Sequence, residues 1–181
     1  MLYKKSSMVT KQRMFSFFVF TGLFVASYSI GAESIVSADE ADEFLKEFEK
    51  LIEGIDAIGI FLHNIAIALP MFIPGFGIAW GLFAAWQTGF AFAVLETTTP
   101  ILSGIPPLTI LLLSPFGLME LAAYSLAMSR SFLLIHKIIK KKSIRKDYLV
   151  VGMEVVVMMV LLLVGGFLEF YMIEKFGGGI V

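Results

Sequence analysis

Long apolar runs separated by short polar segments organise the chain. The runs cover residues 14–30, 55–73, 75–95, 116–135 and 149–172. Each is close to the roughly 20 residues that a helix needs to cross a hydrocarbon core of about 30 Å. The pattern therefore predicts an all-α fold, a polytopic transmembrane helix bundle of about five spans.

The composition agrees with a membrane protein. The chain is 58% hydrophobic and 16% charged, whereas soluble domains average about 45–50% apolar and about 25% charged residues. The net charge of −1 gives no field that would attract nucleic acid. There are no cysteines, so disulfides, thiolate metal sites and cysteine nucleophiles are excluded. We expect the lipid bilayer, and not nucleic acid, to be the first partner.

The basic residues predict the orientation. They cluster before the first run and between the fourth and fifth runs, at Lys4, Lys5, Lys11, Arg13, Lys137, Lys140, Lys141, Lys142, Arg145 and Lys146. Cytoplasmic segments carry an excess of lysine and arginine. We therefore expect a multi-pass protein of the cell membrane with a cytoplasmic amino terminus and an extracytoplasmic carboxyl terminus.

Residues 1–36 form the first predicted unit, and two interpretations of it stay open. The unit can be a signal-anchor whose apolar run remains as a transmembrane helix. It can also be a cleaved signal peptide, because Val36-Ser37-Ala38 has the small-residue pattern that a signal peptidase accepts. The apolar run is long for a signal peptide, which favours the anchor.

Residues 37–54 predict an extracytoplasmic amphipathic helix. Ser37 and Glu40 have the spacing of a capping box. Apolar residues recur at helical spacing on one face, and acidic residues fill the other. The acidic set is Asp39, Glu40, Asp42, Glu43, Glu47, Glu49 and Glu53. This face is either simply solvated or a docking surface for an extracytoplasmic partner.

Residues 55–176 form the predicted membrane domain, which contains a helix break. Ser114 can cap a helix, Pro115 suits the first helical position, and Gly117 follows. Residues 105–114 are then either a re-entrant segment or the start of one kinked helix. We favour the break, because the run after it is already long enough to cross alone.

Four polar residues fall inside apolar runs, where each is costly on its own. Counting the helical rise places Asn64, Gln87, Glu120 and Glu169 in the middle or outer half of the bilayer. We expect them to form one buried polar cluster.

Arg130 and Glu154 fall nearer the inner face, on the fourth and fifth spans. We expect them to form an ion pair between these spans. The alternative is that Arg130 extends towards the inner headgroups instead.

No catalytic motif accompanies these residues. The chain has no nucleophile–base arrangement, phosphate-binding loop or zinc helix motif. His63 and His136 are predicted on opposite sides of the membrane, so they do not form a metal site. We expect no enzyme, no cofactor and no metal.

From the second span onwards, the chain resembles the stage II sporulation protein M family of integral membrane proteins. The family has a Pro-His-Gly-x-x-Glu signature, and the corresponding residues here are Pro115-Phe116-Gly117-Leu118-Met119-Glu120, with Phe116 at the histidine position. Its last span carries a small-small-x-x-Glu pattern, similar to Gly165-Gly166-Phe167-Leu168-Glu169. Asn64 corresponds to an asparagine in its second span, and Gln87-Thr88-Gly89 to its Asn-Gly pair.

The resemblance implies a non-catalytic membrane anchor in a complex with cell-wall remodelling enzymes, as members in spore-forming bacteria are. Relatives also occur in organisms that make no spores. Our first hypothesis is therefore a scaffold or assembly subunit whose partners are other membrane or extracytoplasmic proteins, and a homo-oligomer is a further possibility. The second is a small transporter or channel, because a broken helix beside buried carboxylates is typical of transport sites. An intramembrane enzyme is the third and weakest.

Overall fold

The structure, a computed structural model, describes residues 10–98 and 104–176, except for the side chains of residues 49, 51, 52 and 176. The predicted basic residues Lys4 and Lys5 and the tail 177–181 lie outside this part. All regular secondary structure within it is helical, which confirms the all-α prediction. The elements are α1 (Lys11–Ala32), α2 (Ala38–Ile52), α3 (Ala57–Ala68), a 3-10 turn (Leu69–Phe72), α4 (Phe76–Thr98), α5 (Pro107–Leu113), α6 (Pro115–Ile139) and α7 (Tyr148–Phe176).

Four helices, α1, α4, α6 and α7, are long and apolar enough to cross a membrane. The second predicted span is shorter than the others. Its α-helix begins after Asp56, whose carboxylate accepts a hydrogen bond from the amide of Gly59 at 2.7 Å, and it tightens into the 3-10 turn at Pro70. Proline cannot supply the amide that a continuing α-helix needs. The bundle thus has four full-length spans and one short apolar helix, roughly the five that the sequence predicts.

Helix α6 is the centre of the bundle. Its most apolar window is 61% buried inside the chain, whereas that of α1 is 28% buried. Helices α1, α4, α5 and α7 all pack against it. The helix buries several small residues, among them Ala123, Ser125, Ala127, Ser129 and Ser131. Small residues allow helices to approach closely in a membrane.

Helices α1 and α4 make an unusually close contact through two glycines. A Cβ atom at Gly31 of α1 would overlap the carbonyl oxygen of Trp86, and one at Gly89 of α4 would overlap that of Tyr28. The backbones of the two helices therefore touch where these glycines meet. Since α1 also buries Phe24 and Tyr28, the first helix is an integral part of the core.

Helix α2 packs on the end of α4. Ala41 is 3% exposed, and the ring of Phe44 meets that of Phe90 edge to face, with centroids 5.7 Å apart. The amide of Ser37 donates to the Glu40 carboxylate at 3.0 Å, and the amide of Glu40 donates back to the Ser37 hydroxyl at 3.4 Å. This is the capping box of the sequence prediction. Hydrogen bonds from the Ser37 hydroxyl and amide lower the pKa of the Glu40 carboxyl.

The chain breaks between α5 and α6 at Ser114, whose ψ of 138° is extended. The Ser114 hydroxyl accepts from the amide of Gly117 at 3.0 Å and donates to the carbonyl of Ile110 at 2.6 Å. A Cβ at Gly117 would meet the carbonyl oxygen of Leu111 at 2.7 Å. Ser114 therefore caps α6, and Gly117 leaves room for the end of α5.

Candidate functional site

A buried ionic triad joins three helices near the end of the bundle that carries the start of α1 and the α6–α7 connection. Glu154 of α7 is 1% exposed, and both of its carboxylate oxygens are bonded. Arg130 of α6 donates from Nε to Oε2 at 2.5 Å and from Nη2 to Oε1 at 2.6 Å. Arg13 of α1 donates from Nε to Oε1 at 2.7 Å. One carboxylate thus holds α1, α6 and α7 together.

Two further donors of Arg13 bond to oxygen atoms of α6. Its Nη1 donates to the hydroxyl of Ser129, and its Nη2 donates to the carbonyl of Leu126 at 2.9 Å. Ser129 in turn donates to the carbonyl of Ser125 at 2.5 Å. Two guanidinium groups and one carboxylate leave a formal charge of +1, and the hydroxyl of Ser129 and the carbonyl of Leu126 stabilise it by accepting hydrogen bonds from Arg13.

The triad contains the pair that we expected, Arg130 with Glu154, and a residue that sequence reasoning missed. Arg130 is 5% exposed, so its guanidinium faces Glu154 and not the headgroups. Arg13 was counted only with the basic residues that precede the first span. The sequence could have predicted its role, because Arg13 lies at the start of α1 and Glu154 near the start of α7, and the predicted topology places both helix starts at the same side of the membrane.

A second polar cluster joins α3 and α6. The amide nitrogen of Asn64 donates to the Glu120 carboxylate at 2.8 Å, and the Tyr124 hydroxyl donates to the amide oxygen of Asn64 at 3.2 Å. Asn64 is 7% and Tyr124 is 5% exposed, whereas Glu120 is half-buried. The asparagine amide therefore bridges two residues that are one helical turn apart on α6. Tyr124 was not in our predicted set.

The other two residues of the predicted cluster lie differently. Glu169 of α7 is half-buried and close enough to Glu120 to interact electrostatically, but it has no hydrogen bond among the described residues. Gln87 is exposed on α4. The prediction that Gln87 joins the buried cluster is wrong, because the buried face of α4 is the glycine face and Gln87 points away from it.

The α6–α7 connection contains one further buried carboxylate. Asp147 is 2% exposed, and its Oδ1 accepts from Nζ of Lys137 at 2.6 Å. Its Oδ2 has no partner within the described residues. This ion pair closes the connection just outside the triad.

The chemistry available in these clusters is ion pairing and hydrogen bonding between helices. No group of three or more histidine, aspartate or glutamate side chains within residues 10–98 and 104–176 is arranged to hold a metal ion. His63 is exposed on α3, and the ring of His136 stacks on that of Phe132 with centroids 6.0 Å apart. Neither histidine joins the carboxylates.

The motif residues of the membrane domain occupy helix contacts. Gly117 and Glu120 lie in the first turns of α6, after the cap at Ser114. Gly165 and Gly166 lie where α7 meets α6 and α3, since a Cβ at Gly166 would be 3.1 Å from the carbonyl oxygen of Ala57. Glu169 follows one turn later on α7.

Comparison with known proteins identifies the family of this chain. A family model described as stage II sporulation protein M matches residues 14–172. Neither a curated protein nor a solved structure gives a significant match to the chain. The family match begins within α1 and ends within α7, so it includes nearly all of the helix bundle and every residue of the two polar clusters except Arg13, which directly precedes it. This membrane-embedded chain therefore belongs to the stage II sporulation protein M family.

Proposed function

We propose that the chain is a non-enzymatic scaffold or assembly subunit of a membrane complex. The observation that carries the proposal is the acidic face of α2. Asp39, Glu43 and Glu47 follow one another at four-residue spacing, and all three are exposed. Because Ala41 and Phe44 fix the opposite face of the helix on α4, these carboxylates form a positioned surface on the end of the bundle.

The interior of the bundle supports a scaffolding role. Both oxygens of Glu154 are used by arginines, and both polar atoms of the Asn64 amide are used by α6. Groups that are saturated in this way hold helices in place, and they have few free donors or acceptors for a substrate.

The orientation belongs to the same proposal. The basic connection around residues 140–146 and the start of α1 lie on the cytoplasmic side, and α2 and the carboxyl terminus lie outside. The acidic face of α2 then meets an extracytoplasmic partner.

The role of α1 in the triad favours its retention as a transmembrane helix over its removal as a signal peptide. Mass spectrometry of the purified protein would detect cleavage after Ala38.

The experiment is an affinity purification from membranes solubilised in a mild detergent. The variant combines Asp39→Lys, Glu43→Lys and Glu47→Lys, and we expect it to lose a stoichiometric partner that the wild type retains. Lys46→Glu is the matched control, because it changes an exposed charge on the same helix but keeps the acidic face. A wild-type protein that purifies alone, or a partner retained by the triple variant, would contradict the proposal.

A small transporter or channel is the second candidate, and the half-buried Glu120 beside the helix break favours it. Broken helices and intramembrane carboxylates occur together at transport sites. The test is proton or cation flux into proteoliposomes. Flux that is abolished by Glu120→Gln and retained in Glu174→Gln, an exposed glutamate of α7, would support transport. Absence of flux under every imposed gradient would end this alternative.

A further inference from the structure

Gln87 is a polar side chain with no partner in the described part of its own chain, and it occupies the middle of a transmembrane helix. Helix α4 has 23 residues, and Gln87 is at its centre. A helix of this length rises about 34 Å, so its centre falls near the midplane of a hydrocarbon core of about 30 Å. The side chain is exposed and makes no hydrogen bond with residues 10–98 or 104–176. Since lipid tails offer no hydrogen bonds, this amide is costly unless another molecule pairs with it.

The residues around Gln87 form a stripe along the outer side of the helix, which we call the α4 seam: Phe76, Trp80, Phe83 and Gln87, of which Trp80 is half-buried and the other three are exposed. Their spacings of four, three and four residues give the 3.5-residue period of packed helix pairs. Phe76 is 51% and Phe83 is 50% exposed. The ring centroids of Phe76 and Trp80 are 6.1 Å apart, and those of Trp80 and Phe83 are 6.0 Å apart. The side chains are thus already ordered against one another.

One seam residue also contacts its own chain, since the indole nitrogen of Trp80 donates to the carbonyl of Ile67 on α3 at 2.9 Å. The exposed members of the seam lie away from the buried face of α4. The buried face carries Gly77, Gly81, Ala85 and Gly89, and Gly81 and Gly89 pack against Met128 and Tyr28 respectively. Phe90 continues the period of the seam, but its ring is covered by Phe44 of α2. The open part of the seam therefore ends at Gln87.

We propose that a second copy of this chain packs its α4 seam against the first, about a two-fold axis along the membrane normal. Residues at equal depth meet in such a dimer, so the two Gln87 side chains face each other. A carboxamide has both a donor and an acceptor, and two of them satisfy each other without any added charge. One polar residue in an otherwise apolar seam also fixes the register of a helix pair. Lipid would leave both amides unpaired.

The dimer is independent of the scaffold proposal, because it uses α4 within the membrane and not the acidic face of α2. If the chain binds a partner but is a monomer, only the dimer proposal fails. If it dimerises but binds no other protein, only the scaffold proposal fails.

The absence of cysteine from the chain allows a direct test. Phe83→Cys places a thiol in the seam, and Leu62→Cys places one on α3, where the leucine is 57% exposed. Each purified variant is reconstituted in phosphatidylcholine vesicles at a low protein-to-lipid ratio and oxidised with copper phenanthroline. We expect disulfide dimers from Phe83→Cys and only a background level from Leu62→Cys. Equal cross-linking of the two variants, or none at Phe83→Cys, would overturn the proposal.

The amide is tested separately by measuring dimer fraction against protein density, using single-molecule photobleaching in the same vesicles. We expect Gln87→Leu to weaken dimerisation about tenfold, because the variant loses both hydrogen bonds of the reciprocal amide pair. Gln87→Asn keeps a carboxamide and should restore most of the association. His63→Leu is the control, because it removes an exposed polar side chain from α3. A monomeric wild type, or a dimer unaffected by Gln87→Leu in a protein that still runs as a single species in detergent, would refute it.

Discussion

The charged side chains of the two polar clusters differ in how deeply they are buried and in how many bonds they make. In the triad, Arg13, Arg130 and Glu154 are each at most 5% exposed, and every oxygen of the carboxylate is bonded to a guanidinium. In the second cluster, Glu120 is half-buried and bonded to one neutral amide, and Glu169 has no hydrogen bond among the described residues.

This difference predicts which charged residues can be substituted without a large loss of stability. A charge that is fully removed from solvent must keep its partners, because losing one leaves an uncompensated ion in a medium of low dielectric constant. A half-buried carboxylate with one neutral partner has other ways to be satisfied. We therefore expect substitutions in the triad to cost much more stability than substitutions in the second cluster.

The largest effect is expected from Glu154→Gln. The variant leaves two buried arginines without a counter-ion, which should cost about 3–5 kcal/mol of folding free energy. The measurement is the apparent melting temperature in detergent, followed by size-exclusion chromatography. Glu174→Gln, at an exposed position of the same helix, is the control and should melt like the wild type. Equal melting of Glu154→Gln and wild type would mean that the triad does not stabilise the bundle.

A smaller loss is expected from Arg13→Met. The remaining Arg130–Glu154 pair is neutral overall and keeps its two hydrogen bonds. The cost should be about 2 kcal/mol, the range of a hydrogen bond to a charged group. Lys11→Met, at an exposed position two residues earlier, is the matched control in the same melting experiment. A loss larger than that of Glu154→Gln would reverse the ranking of the two partners.

Asn64→Leu tests the second cluster. It removes both hydrogen bonds that link Glu120 and Tyr124 to Asn64. An interhelical hydrogen bond in a membrane contributes about 0.6 kcal/mol on average, so the two together should contribute about 1 kcal/mol. We expect a fall in melting temperature clearly smaller than that of Arg13→Met. The neighbouring change His63→Leu affects an exposed side chain and should have no effect. If Asn64→Leu unfolds the protein, the two clusters do not differ as we argue.

The smallest effect is expected from Glu169→Gln. Its carboxylate has no hydrogen bond to lose within the described residues, and the change removes a like charge close to Glu120. The free energy of unfolding should change by less than about 0.5 kcal/mol, in either direction. Destabilisation as large as that of Asn64→Leu would place Glu169 among the bonded members of the cluster.

Hydropathy predicted the helices well because long apolar runs have few alternatives in a membrane. The Ser114-Pro115 signal also located the break between α5 and α6, since a capping hydroxyl and a proline act locally. The depth of Arg130 and Glu154 could be counted along their helices, which is why they were expected as a pair. The short α3 was overestimated, because Pro70 ends its α-helical hydrogen bonding early.

The sequence did not reveal which side of each apolar helix faces its neighbours. Apolar residues occur all round helix α4, so hydropathy does not show which side turns inward. The glycines that meet α1 decide it, and Gln87 consequently points outward. Tyr124 was missed for a similar reason, because a tyrosine in an apolar helix does not show which neighbour its hydroxyl reaches. Arg13 was missed because its partner is on the last helix, far away along the chain.

The hydrogen bond between Arg13 and Glu154 connects residues that are 141 positions apart. During synthesis, the first helix enters the membrane with its arginine long before the last helix exists. A chain that stops before α7 carries two membrane-embedded cations with no anion to neutralise them. Synthesis of the final helix therefore supplies the carboxylate that pairs with both arginines. A truncated product without α7 keeps two uncompensated positive charges in the bundle.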